Sequence, residues 1–289
     1  MILRVFPERT TLTPNDEYVR VGSPELNDPM SEVSEVHVSC LFTWMKDKAE
    51  SLAVEYGRIY QCPVKIGGVA YKSPAYDFEP GKYIHNSVLF FSRGCPNNCL
   101  WCLVPDIEGR KIIELEPRGD GNIIQDNNIM AVSKHHFRKV CGFLKGKKGI
   151  CFKGGIDVGL MTDWHIDLMR GLHIAELWLA CDADSEIKPT VKMIRKLSKA
   201  GFSQKKIRVY CLIGHSGTLE QNESRCREVF LSGGLPFAML FRDTNGEAKT
   251  WDVKWRAMQR RWCRPAIMRA RPCNYRESLL KDVISRGVR

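Results

Sequence analysis

Apolar residues recur along this chain with two periods, and the switches between them predict its elements. Residues 35–42 alternate as a strand. From Trp44 to Tyr60 the apolar positions Met45, Ala49, Leu52, Ala53, Tyr56, Ile59 and Tyr60 fall on one helical face, and residues 62–66 read as a returning strand. Residues 1–86 are therefore expected to form a small N-terminal βαβ-like module, with Gly67, Gly68, Pro74, Pro80 and Gly81 marking the way out of it. Beyond Ser87, short apolar runs at 88–91, 150–152, 176–180, 207–213 and 237–241 alternate with amphipathic stretches at 133–144, 162–172, 187–200 and 218–232. This is the order of a parallel α/β sheet or barrel, expected over residues 87–248. Parallel βα units gather the strand ends and the loops that follow them on one face, which is where a site is expected.

The basic residues are unevenly placed. Net charge is +11, and residues 249–289 hold 12 basic against 3 acidic side chains, so this extension alone carries +9. Tryptophan and arginine interleave through it. Asymmetry of this kind points to a polyanion or anionic surface as partner, and a solvated basic tail is the competing reading. Trp255, Met258 and Trp262 are spaced three and four apart, as on a buried helical stripe, so packing accounts for part of the pattern.

Composition narrows the classes further. At 44% hydrophobic and 27% charged, the chain has the balance of a globular protein, and no apolar stretch reaches the roughly 18 residues needed to span a bilayer. Pro7 and nearby charges interrupt any secretory-type apolar run, so a reducing cytoplasm is expected. The chain's 12 cysteines are then not a disulfide framework. Cys151, Cys181 and Cys211 lie in β-like runs and read as small buried hydrophobes, and Cys263 and Cys273 read as structural.

The remaining chemistry concentrates in Phe90-Phe-Ser-Arg-Gly-Cys-Pro-Asn-Asn-Cys-Leu-Trp-Cys102, where Cys95, Cys99 and Cys102 follow a predicted strand with C-x3-C-x2-C spacing. A cubane iron–sulfur cluster usually takes four cysteines, so three leave one iron open to an exogenous molecule. That iron could chelate the amino and carboxylate groups of S-adenosylmethionine (SAM), whose sulfonium then accepts an electron and yields an adenosyl radical. Zinc is the competing occupant, but zinc sites favour paired C-x2-C units and a fourth ligand, and only one such unit occurs. Other constellations carry less. His135-His136 and Asp163-Trp-His165 lack partner ligands, the glycine- and lysine-rich run 142–149 departs from Walker spacing, and the charged run 220–227 reads as a solvated helix face, with Arg225 as a candidate for the barrel mouth.

The cysteine loop resembles the motif of the radical SAM superfamily, including an aromatic residue, here Trp101, before the last cysteine. The resemblance spans residues 87–243 and implies a partial (β/α) TIM-like barrel with a 4Fe-4S cluster and SAM at its carboxyl-terminal mouth. It also implies SAM contacts at Gly154 and Gly155, at Asp157 in place of the family's glutamate, and at Asp182 near the ribose. A turn competes for the Gly154–Asp157 segment, and Asp184 or a helix cap competes with Asp182. The run 209–215 is similar to a later strand whose backbone packs on adenine, and a plain core strand competes equally for it. Because the stretch from Gly155 to Glu176 is short, fewer than the usual six units are expected, giving an abbreviated barrel.

The opening of the chain, the run 104–109 after the cysteines and the run 261–266 resemble phage-encoded radical SAM proteins that accompany thymidine hypermodification. What that resemblance implies is an isomerase that moves an amino acid's linkage on a modified thymidine in phage DNA from nitrogen to carbon, with an external electron donor. Two alternatives remain: a radical SAM enzyme acting on a peptide or small metabolite, and a nucleic-acid-binding protein whose metal loop is only a clasp.

Overall fold

The computed structural model describes residues 1–25, 33–73, 79–242 and 250–269. Pro74, Cys273 and the arginines beyond Arg269 lie outside the described residues. Those described fall into two compact units, one running from Met1 to Gly154 and including Arg242, the other taking Gly155–Phe241 and the residues from Thr250 onward.

The first unit opens with four strands, β1 (Ile2–Phe6), β2 (Val19–Val21), β3 (Glu35–Ser39) and β4 (Val64–Gly67), with helix α1 (Lys46–Tyr60) between the last two. They lie in the order β2-β1-β3-β4, and every pairing is parallel. Alternation turns Leu3, Val5, Val36 and Val38 inward, and α1 covers them with Ala49, Leu52 and Tyr56, one helical face of residues seven or fewer apart. The helix stops where Gln61 turns left-handed, φ 50°, and its N–H bonds the Gly57 carbonyl at 3.1 Å. The expected βαβ unit is β3-α1-β4, and β1 and β2 extend it to a four-stranded parallel sheet. Ile59 stands 40% exposed, so the last turn of α1 does not bury the whole apolar face.

The same unit then carries β5 (Val88–Leu89), β6 (Ser92–Arg93), α2 (Val104–Ile107), β7 (Ile113–Glu114), β8 (Ile123–Ile124), α3 (Lys134–Leu144) and all but the last two residues of β9 (Lys148–Ile156). Strand β8 pairs in parallel with β5 on one side and β9 on the other, while β6 and β7 form a short antiparallel ladder. Ser133 caps α3 by accepting the His136 N–H at 3.1 Å, which sets the face that buries Phe137, Val140, Cys141 and Leu144.

The second unit continues with α4 (Asp163–Arg170), β10 (His173–Ala180), α5 (Ile187–Lys199), β11 (Ile207–Ile213), α6 (Leu219–Ser232), β12 (Leu235–Leu240), α7 (Val253–Cys263) and α8 (Pro265–Arg269). Strand β11 pairs in parallel with β10 and with β12. Leu177, Leu179, Val209, Ile213 and Ala238 from these strands are fully buried with Ile194, Leu197 and Val229 from α5 and α6. A fully buried aliphatic side chain of this kind contributes about 1.5–3 kcal/mol.

The expectation of fewer βα units is corrected here. The stretch after Gly155 holds a complete unit, because an eight-residue helix, α4, and the turn at Gly171-Leu172 suffice to carry the chain into β10. Counting β5 and β8 to β12, six strands follow in sequence among the described residues, and a helix comes after each from β8 onward. The architecture is mixed α/β with parallel sheets, and no pairing among the described residues closes a sheet on itself. No helix among them is long and apolar enough to cross a membrane.

Candidate cluster-binding site

The cysteine loop leaves the end of β6 and returns through α2 to β7. Its first turn needs a glycine: Gly94 has φ +80°, and a Cβ there would overlap the Lys111 carbonyl oxygen. Glu108 holds this turn from inside, accepting the Gly94 N–H at 3.1 Å and pairing with Arg93, both side chains being buried. The far side is closed by Arg110, whose Nε and Nη2 bond the Pro96 carbonyl at 3.2 and 3.0 Å, and by the Cys95 N–H on the Gly109 carbonyl at 3.3 Å. Cys102 N–H bonds the Cys99 carbonyl at 3.0 Å, a tight turn that keeps the last two thiols on one short span. Cys95, Cys99, Cys102 and Trp101 are all half-buried, and Leu100 between them is 87% exposed.

Beneath this loop lies the polar run Gln125-Asp126-Asn127-Asn128, which follows β8. Asp126 is fully buried, and its Oδ1 accepts the Phe91 N–H at 2.9 Å, the Ser92 hydroxyl at 2.7 Å and the Ser92 N–H. Burial pushes its carboxyl up to about 6, against the opposing pull of those donors and of the Arg93 guanidinium. Asn127 donates to Glu108 Oε2 at 2.5 Å, and Asn128, 1% exposed, donates from Nδ2 to Cys95 Sγ at 3.6 Å. His136 completes the floor, its Nε2 bonding the Phe91 carbonyl at 2.8 Å.

These observations test whether the loop suits a cluster. Three thiols, none of them buried, stand on a backbone locked by the buried Arg93–Glu108 pair and the hydrogen bonds of Asp126, and one sulfur already receives an N–H, as cluster sulfurs do. A cubane bound by three thiolates leaves its fourth iron open, and three is the number of free thiols this loop offers. The donor set fits the cubane.

The expected SAM contacts sit as follows. Gly154, at the end of the first unit, admits no side chain, because a Cβ would overlap the Asp126 carbonyl oxygen. The close approach that requires this glycine is therefore to the chain's own backbone. In the second unit, Gly155 has φ +88° with nothing nearer to its Cβ position than Tyr210 at 4.0 Å. Asp157 closes a turn, its Oδ1 taking the Gly159 N–H at 2.8 Å. Asp182 joins β10 to β11 by accepting the Leu212 N–H at 2.9 Å on Oδ1, and its backbone carbonyl accepts from Arg225. Asp184 lies 3.5 Å from Arg225 Nε and begins a 3-10 turn.

Asn222 and Arg225 overturn the reading of 220–227 as a solvated face. Both are buried, Arg225 clamping the Asp182 carbonyl and the Asn222 side chain, and Asn222 accepting the Gly214 N–H at 3.2 Å. The Trp251 indole covers Gly214, which directly follows β11 in the run compared above with an adenine-packing strand. Cys181 and Cys211 are buried as expected, and burial pushes the Cys181 thiol up to about 12, whereas Cys151 is only half-buried. Met258 and Trp262 of α7 are buried, with Trp262 Nε1 donating to Glu223 at 3.1 Å, while Lys254, Arg256, Arg260, Arg261 and Arg264 stand exposed.

The sequence reading did not single out Glu108, Asp126, Asn127 or Asn128. A signal existed in the four polar residues directly after the apolar Ile123-Ile124, the place where a βα loop turns toward a site.

No protein-family model matches the chain, and no curated protein matches its sequence. Among solved structures it is similar to a radical S-adenosylmethionine methyltransferase, TsrM from Kitasatospora setae, determined with cobalamin and a [4Fe-4S] cluster bound. The TM-score is 0.64 at 12% identity, over 85% of this chain and 76% of that one. At that identity the likeness is one of fold, and the chain has a fold similar to that of a radical SAM enzyme.

Proposed function

We propose that this chain is a radical SAM enzyme in which Cys95, Cys99 and Cys102 hold a 4Fe-4S cluster and SAM takes the remaining iron. The observation that carries this reading is the loop: three thiols, none of them buried, on a backbone fixed by the buried Glu108, Asp126 and Asn128. When bound, such a cluster passes an electron to the SAM sulfonium and generates a hydrogen-abstracting adenosyl radical. The chain's own residues bind and orient. Gly154, Gly155, Asp157 and Asp182 are the proposed SAM contacts, with Asp182 held in place by the Leu212 N–H on its Oδ1. Anaerobic reconstitution followed by chemical reduction should cleave SAM to methionine and 5′-deoxyadenosine, read by mass spectrometry. A fully loaded protein that cleaves no SAM would contradict the proposal.

The finer reading is an isomerase acting on amino-acid-modified thymidine in phage DNA, served by an external electron donor in the host cytoplasm. Support comes from α7, where Lys254, Arg256, Arg260 and Arg261 are exposed on a helix anchored by Met258 and Trp262, with Arg264 exposed just past its end. Basic side chains on an anchored helix suit a phosphate backbone. Incubation with SAM and modified DNA should convert one nucleoside into another of unchanged mass and shifted retention. Unaltered nucleosides from every candidate DNA would count against it.

A second reading, action on a peptide or small metabolite, is favoured by the order β2-β1-β3-β4. In parallel sheets of this order ligands bind beyond the carboxyl ends at the β1/β3 switch point, and here Leu41 and Trp44, just past β3, are exposed. Residues 1–86 are a larger share of the chain than the part the TsrM likeness leaves uncovered, so that likeness extends into residues 1–86. Uptake of cobalamin, seen as a bound visible spectrum after desalting, would favour this reading over the first. Its absence would leave the sheet without that ligand.

A further inference from the structure

We propose that Asn128 is a positioning residue for the cluster and sets its reduction potential through the Nδ2–H···Sγ hydrogen bond to Cys95. The inference rests on the cluster proposed above and adds to it a residue that lies outside the cysteine motif. Three consecutive side chains after β8 grip successive points of the cysteine loop. Asp126 takes Phe91 and Ser92, Asn127 reaches Gly94 through Glu108, and Asn128 ends on the first cysteine.

The register leaves Asn128 little freedom. Its neighbours on the chain are committed to buried partners, the Asp126 backbone is pressed against Gly154, and Asn128 itself is 1% exposed. An amide held in this way is a preorganised donor. Sulfur accepts an N–H more strongly as it gains negative charge, so the bond favours the reduced cluster over the oxidised one and raises the potential. A purely structural Asn128 would affect loop stability and iron retention but leave the potential of a loaded cluster where it was.

The test compares wild-type protein with Asn128→Ala and Asn128→Gln after anaerobic reconstitution, with iron counted first. Wild-type protein that takes up no cluster would overturn the proposed function, and this inference with it, before any potential is read. In loaded protein, redox titration followed by electron paramagnetic resonance should find Asn128→Ala about tenfold less reduced at the wild-type midpoint, a shift of roughly 59 mV to lower potential for one electron. Asn128→Gln, which keeps an amide donor, should recover part of that shift. Equal midpoints in wild type and Asn128→Ala would overturn the inference. Should Asn128→Ala fail to fold, wild-type protein labelled with 15N in its asparagine side chains decides the matter. Coupling of the reduced cluster to a side-chain 15N supports the bond, and no coupling refutes it.

Discussion

Asp126→Asn should change how stability depends on pH, and the size of the effect follows from burial. In the folded chain the Asp126 carboxyl is fully buried and its proton affinity is raised to about 6 from a reference value of 3.8. Between those values the folded protein keeps a proton that the unfolded chain has released. Stability therefore falls as pH rises through the window from about 4 to 6 and is level above it. About two pH units at 1.36 kcal/mol each give a change near 3 kcal/mol, an order-of-magnitude figure. Asparagine keeps an acceptor for Phe91 and Ser92 but does not titrate. The difference in unfolding free energy between wild type and Asp126→Asn should thus move by about 3 kcal/mol from pH 4 to pH 7, with the wild type gaining on the acid side. Urea unfolding of cluster-free protein, followed by circular dichroism under reducing conditions at a series of pH values, measures it. A difference that is flat with pH, or that favours the wild type on the alkaline side, would refute the reasoning.

Other substitutions test the packing around the site. Gly154→Ala should destabilise the chain by about 1–3 kcal/mol, because the new Cβ overlaps the Asp126 carbonyl and backbone must shift, which a thermal melt will show as a lowered midpoint. Trp262→Ala, which empties a fully buried site and leaves Glu223 without its indole donor, should cost about 3–5 kcal/mol by chemical denaturation. If the exposed face of α7 meets DNA phosphates, replacing Arg256, Arg260 and Arg264 with glutamine should shrink the slope of log affinity against log salt by about 0.9 per arginine on duplex DNA. An unchanged slope would place DNA contacts elsewhere.

Much of the second unit was legible because its elements are long enough to show a period. Residues 207–213 were read as a strand from their apolar run, and β11 has those bounds; the amphipathic stretches at 187–200 and 218–232 became α5 and α6 within a residue. Strand β8 was not legible, since Ile123-Ile124 is two residues long and exists only through its register with β5 and β9. The cysteine loop was legible because ligand spacing is local. Its support was not: Asp126 and Asn128 reach it only after the chain has left the loop and returned, a long-range contact that no spacing encodes. The run 220–227 failed for the opposite reason. Its charged residues gave it a solvated look, yet Asn222 and Arg225, three apart, share the helix face that meets the Asp182 carbonyl. Gly154 stands where the resemblance implies a SAM contact, and the structure adds a second reason for a glycine there, the close approach of the Asp126 carbonyl.

Iron and acid-labile sulfide counted after anaerobic reconstitution test the central claim most directly, with wild-type protein measured beside single alanine variants of Cys95, Cys99 and Cys102. The proposed account predicts about four irons and four sulfides per wild-type chain, and a cluster that is lost or degraded in each variant, with Cys151→Ala loading normally as the control. A wild-type chain that binds one zinc and no sulfide, or variants that keep a full cluster, would contradict it.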